Sequence, residues 1–147
     1  MNHYEAINDV LVHLFNEILD LEERALITPE YKDISVNDMH IIDAVGIQQQ
    51  KNMSTVARTL GVTVGTLTIA VNNLVKKSYV RRNRSEKDRR VVLISLTAKG
   101  KSAYLHHKKF HDEMIKATLE GLNLEETEVL VKALSNLCTF FKTYQNK

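Results

Sequence analysis

The residues with most chemistry to offer lie between positions 54 and 90. Arg81, Arg82, Arg84, Lys87, Arg89 and Arg90 crowd residues 81–90. Such a cluster suits phosphate, because guanidinium and ammonium groups bring charge and donors to an anion that only accepts. Asp88 stands two residues before Arg90. A carboxylate at that spacing can hold one guanidinium in a fixed pose for a phosphate or a minor groove. Upstream, Gly65, Thr68, Ile69, Asn72, Asn73 and Lys76 recur at helical spacing. Gly and Thr let a helix approach a groove closely, Asn pairs with adenine edges, Thr and Ile methyls meet thymine, and Lys reaches phosphate. The chemistry implied is non-covalent recognition of double-stranded DNA. Ser54, Thr55, Val64, Thr66 and Lys77 complete the expected contact set.

Two helices and a hairpin must position these groups. Ser54 is read as the N-cap of the first helix, whose apolar face is Val56, Ala57 and Leu60. Gly61 supplies the left-handed residue that ends it, and Thr63 caps the second helix. Leu67, Ala70, Val71 and Leu74 form that helix's buried stripe. Tyr79 to Arg84 and Val91 to Leu96 are β-rich, and residues 85–88 break them as a turn. The pattern is a helix-turn-helix followed by a β-wing. A basic run alone is usually a solvated surface. This one follows a capped helix-turn-helix directly, which favours DNA.

The segment from Asp88 to Gly100, DRRVVLISLTAKG, preceded by NNLVKKSYV, resembles the wing signature of the MarR family of winged-helix transcription regulators. The resemblance extends over essentially the whole chain. It implies that Arg90 enters the minor groove, that Asp88 orients it, and that the helix from Thr63 to Lys77 reads the major groove. The chain departs from the common pattern at Val64, Gly65 and Ile69, where polar residues or arginine are frequent. Fewer charged base contacts are therefore expected.

A length of 147 residues suits one domain with its own core. Residues 76–101 hold ten of the 20 Lys and Arg but two of the 18 Asp and Glu, so positive charge is concentrated where DNA would lie. There is no long apolar run and no signal-peptide pattern, and a cytoplasmic protein away from membranes is expected. The single Cys138 excludes an internal disulfide and reads as a buried structural residue.

The expected fold is mainly α with a small β-wing, six helices in all. The winged helix-turn-helix lobe spans about 35–100, and dimerisation helices span about 1–27 and 101–147. Residues 4–26 form a long helix with an apolar face of Ile7, Val10, Leu11, Leu14, Ile18, Leu21 and Ala25. Glu17, Asp20, Glu22 and Glu23 lie off that face or along its border. Ser35 with Asp38 starts the second helix, and Gly46 ends it. Asn123 with Glu126 starts the last. The last helix is apolar over more of its surface than packing on one side requires, which points to a homodimer. Two-fold symmetry would place two recognition helices about 34 Å apart, in successive major grooves of a palindromic operator.

Three effectors fit such a regulator. Within the MarR family the chain is similar to repressors of fatty-acid-synthesis genes, and that resemblance implies a long acyl chain on acyl carrier protein as corepressor. Leu14, Ile18, Ile42, Val45, Tyr104, Phe110 and Met114 would line an acyl tunnel, although each could equally be core. Arg58, Lys108 and Lys109 could dock the acidic carrier. The second effector is a metal. His107 and His111 are an i, i+4 pair able to chelate zinc, and His40 could join them. These positions resemble metal-binding histidines of zinc-responsive family members, but no carboxylate or cysteine on the first helix stands out to complete a tetrahedral site. The histidines could instead be neutral hydrogen-bonding groups. The third is a redox switch at Cys138, disfavoured by its apolar setting. No cofactor is expected. No phosphate-binding glycine loop, nucleophile elbow or zinc hydrolase motif is present, so an enzyme is not expected. An architectural DNA-binding dimer is the other class, and it would show salt-sensitive, sequence-indifferent binding.

Overall fold

A computed structural model describes residues 2–26 and 28–145. In chain order the elements are α1 (His3–Leu26), α2 (Val36–Val45), β1 (Lys51–Asn52), α3 (Met53–Leu60), α4 (Val64–Lys76), β2 (Val80–Arg84), β3 (Val92–Leu96), α5 (Ala98–Leu119) and α6 (Leu124–Gln145). The expected mainly-α winged helix-turn-helix with six helices is therefore present. The chain divides into two compact units, residues 1–110 and 111–147, with the division inside α5. Among the described residues no single helix is long and apolar enough to cross a membrane.

In the first unit, local signals set most helix ends. Ser35 and Asp38 form a reciprocal capping box at α2: each backbone N–H donates to the other's side chain at 3.1 Å. Gly46 ends α2 at φ 73°. Thr63 caps α4 by accepting from the Thr66 N–H at 3.1 Å, and Gly61 closes α3 in the left-handed region at φ 68°. The α3 start differs from expectation. Asn52, not Ser54, is the N-cap, accepting from the Thr55 N–H at 2.7 Å. Both residue types can cap. The choice falls on Asn52 because Lys51 and Asn52 pair with β3 and so hold the chain extended up to that point.

The sheet has the order β1-β3-β2 and is antiparallel throughout. Val80 faces Leu96 and Arg84 faces Val92 in the wing, while Lys51 faces Ile94. Strand β1 carries no β-rich signal of its own. Ile94 and Leu96 pack into a core with Met39, Ile42 and Val45 of α2, Val56 of α3, and Leu67, Val71 and Leu74 of α4. The last three are the stripe read from sequence. Tyr79 is fully buried at the corner between α4 and β2. Its hydroxyl donates to Asp33 Oδ1 at 2.7 Å. Burial, then that carboxylate, push the phenol's pKa up, while the same hydrogen bond holds the Asp33 carboxyl below the usual range. Gly100 packs so tightly on this corner that a Cβ there would stand 2.1 Å from the Tyr79 carbonyl oxygen. Along α1, Ile7, Val10, Phe15 and Leu19 are exposed, whereas Glu22 is buried.

In the second unit, Gly121 turns the chain at φ 81°. Asn123 and Glu126 form a reciprocal cap for α6, with the Glu126 N–H donating to Asn123 Oδ1 at 2.8 Å and the Asn123 N–H to Glu126 Oε1 at 3.2 Å. No residue of α6 is buried. Cys138 is therefore exposed, against the expectation of a buried thiol. Its apolar stripe is real, but the single chain does not cover it.

Candidate nucleic-acid interface

The outward face of α4 carries the small and polar residues expected. Val64, Gly65, Thr66, Ile69, Asn73 and Lys76 are exposed, and Ile69 is 75% exposed. A large apolar side chain that open, on a helix whose other face is core, is available for a methyl contact. Thr68 is half-buried and turns its hydroxyl back to the Val64 carbonyl at 2.7 Å, leaving its methyl free. Ser54 and Thr55 are exposed at the start of α3.

Asn72 does not stand free. Its side-chain oxygen accepts from the Arg82 guanidinium, tying the recognition helix to β2. Lys77, the C-cap residue of α4, donates from its ammonium to the Asp33 carbonyl. Arg82, Asn72 and Lys77 are thus positioned by contacts at sequence separations of 10 and 44, which helical spacing does not reveal.

In the wing, Asp88 grips Arg90 as its spacing suggests. Arg90 Nε donates to Asp88 Oδ1 at 3.0 Å, its terminal nitrogen to Oδ2 at 3.1 Å, and its backbone N–H to Oδ1 at 3.1 Å. The guanidinium is aimed but still 91% exposed. The Arg90 hydrogen bonds hold the Asp88 carboxyl below its ordinary pKa. Arg84 closes the wing by donating to the Arg89 carbonyl at 2.8 Å, and Lys87 and Arg89 are exposed at its tip. A cleft of about 400 Å³ lies at the base of the wing, lined among others by Asn52, Ser54, Val64, Thr68, Arg82 and Arg90. Both polar helix starts and two wing arginines therefore face one concavity.

The residues assigned to an acyl tunnel are not all alike. Ile42 and Val45 are core of the first unit with no exposed surface, because α2 runs through its centre. Leu14 is exposed, and Ile18, Tyr104 and Phe110 are half-buried. Met114 belongs to the second unit.

The histidines fall differently again. His107 is buried between two carboxylates, with Nε2 3.0 Å from Glu22 Oε1 and Nδ1 2.6 Å from Asp43 Oδ2. His40 Nε2 is 3.4 Å from the same Glu22 oxygen. The first helix does supply a carboxylate after all. Glu22 lies four residues after Ile18 and three before Ala25, so an acid interrupts the apolar face, and that was the available signal. His111 follows one turn later on α5, in the second unit.

A helix-turn-helix with a charged wing on a three-stranded sheet defines a winged-helix transcription regulator. Residues 25–107 match the family described as transcriptional regulator SarA/Rot. The chain belongs to that family of transcriptional regulators and is not an enzyme, and it shares the MarR-type winged-helix fold. It is 42% identical to Streptococcus pneumoniae FabT, solved in complex with DNA, at a TM-score of 0.84 over 96% of this chain and 99% of that one. The HTH-type transcriptional regulator YfiV of Bacillus subtilis is 29% identical over 106 residues, 71% of this chain and 66% of its own length. A MarR family regulator of known structure shares the fold at 15% identity and a TM-score of 0.75, covering 98% of this chain and 93% of that one.

Proposed function

We propose that the chain is a homodimeric repressor of fatty-acid-synthesis genes, which reads a palindromic operator and takes long-chain acyl-acyl-carrier protein as corepressor. The observation that carries this reading is the 42% identity, along nearly the full length, to a FabT solved on DNA. The exposed face of α4 would read base edges, and Arg90, held by Asp88, would enter the minor groove. The open apolar stripe of α6, including Val129, Leu134 and Phe140, is what a second copy would cover. An acyl chain would enter against Leu14, Ile18, Tyr104 and Phe110, while Ile42 and Val45 would have to part to admit it. A repressor with two states needs an effector that prefers one of them, and the acylated carrier supplies that preference.

The test is fluorescence anisotropy on a palindromic operator from a fatty-acid-synthesis promoter, with and without long-chain acyl-acyl-carrier protein. Tightening that requires the acyl group is the expected result. Equal affinity for operator and random DNA, with or without the carrier, would overturn the reading.

A further inference from the structure

We infer that Ile69 determines operator specificity by seating against the C5 methyl group of a thymine in the major groove, with Thr68 beside it. That base step is then read by apolar contact. The inference rests on the proposed reading of base edges by α4 and names what is read there.

Three observations carry it. The first is the position of Ile69. It stands on the outward face of α4, four residues after Gly65 and four before Asn73, and it is 75% exposed. Leu67, Val71 and Leu74 of the same helix are buried, so the core makes no claim on Ile69. Gly65, one turn earlier, carries no side chain that would hold a base edge away. The second is Thr68. Its hydroxyl donates to the Val64 carbonyl at 2.7 Å. The proton is thus engaged inside the helix, and the methyl is what Thr68 has left to offer. The third is the charge of the helix. The run VGTLTIAVNNLVK holds no Arg or Lys before Lys76, its last residue. Guanine is most often read by an Arg or Lys at O6 and N7, and the face around Ile69 supplies neither.

Of the four bases only thymine carries a methyl group into the major groove. A branched aliphatic side chain that covers it removes apolar surface from water on both partners. Asn73, exposed one turn further on, offers an amide to a neighbouring adenine, whereas Asn72 is engaged by Arg82. Arg82 and Arg90 line the cleft beside α4 and supply attraction to the backbone. Ile69 adds discrimination without charge.

The full-length chain would first select duplexes from a random library. Failure to enrich any sequence would overturn base reading by α4, and this inference with it. In the enriched duplex each thymine would then be replaced by uracil, symmetrically in both half-sites. Uracil keeps the pairing and lacks the methyl. Anisotropy should show one or two positions per half-site at which the pair of replacements weakens binding about tenfold, from roughly threefold for each methyl. Ile69→Ala should bind the thymine and uracil duplexes alike at those positions. Circular dichroism would confirm that the variant is folded, as the exposure of Ile69 leads one to expect. With cytosine at the same position, 5-methylcytosine should strengthen binding by the wild-type chain and leave Ile69→Ala unchanged. An enriched site at which no uracil weakens binding would overturn the inference while base reading by α4 stands. So would a uracil effect that Ile69→Ala leaves intact at every position.

Discussion

Asn72 of the recognition helix accepts a hydrogen bond from Arg82 of the wing. In the proposed complex, base reading by α4 and backbone contact by the wing are therefore coupled. Asn72→Ala should lose about 1–3 kcal/mol of operator affinity, and Arg82→Ala a comparable amount. The double variant should lose less than the two together, because each single change already breaks the shared contact. Anisotropy titrations of all four proteins check this, and strictly additive losses would show that the residues act apart.

Arg90→Ala should weaken binding to operator and random DNA alike and lower the slope of log affinity against log salt by about one. Asp88→Asn should act differently. It replaces one of the two accepting oxygens with an amide group and so breaks the two-point grip that aims the guanidinium, but it leaves the arginine's charge, so affinity for random DNA is kept while operator preference narrows. Salt-titrated binding on both DNAs separates the two effects.

Tyr79→Phe removes the hydroxyl that donates to Asp33 and should cost about 1–2 kcal/mol at neutral pH. Asp33 is partly open to solvent, which holds the figure down. The Asp33 carboxyl is below its ordinary pKa in the folded chain, so its contribution is complete above the unfolded value and is lost as pH falls through the folded one. Urea unfolding of both proteins should show the gap at pH 7 and its closure below the ordinary carboxylate range.

Gly100→Ala should be more damaging than its small change suggests. The new methyl would stand 2.1 Å from backbone at Tyr79, and backbone cannot rotate away as a side chain can. A loss of at least about 2 kcal/mol is expected from such overpacking, read as a lower urea midpoint with the slope unchanged.

What the sequence made legible follows from distance along the chain. Ser35 with Asp38, Asn123 with Glu126 and Asp88 with Arg90 are partners two or three residues apart, and they are found as read, as is Thr63 in its place as a cap. The stripe of α4 was legible because helical period and burial agree. The Glu22–His107 contact spans 85 residues and Tyr79–Asp33 spans 46, and only the folded chain brings them together. Asn52 and Ser54, two residues apart, are both able to cap, and the pairing with β3 that decides between them is itself long-range. Cys138 was misread because an apolar stripe says what a face avoids, not whether one chain covers it.

The pairing of Lys51 with Ile94 also sets an order of events. The β2–β3 hairpin joins residues close in sequence, so its ends meet at little entropic cost. Pairing β1 with β3 closes a loop that contains the whole of α3 and α4, at a larger entropic cost, so β1 is expected to add after the hairpin. Its two residues are therefore a late latch in folding. A change at Lys51 or Asn52 that weakens the pairing should speed unfolding far more than it slows refolding.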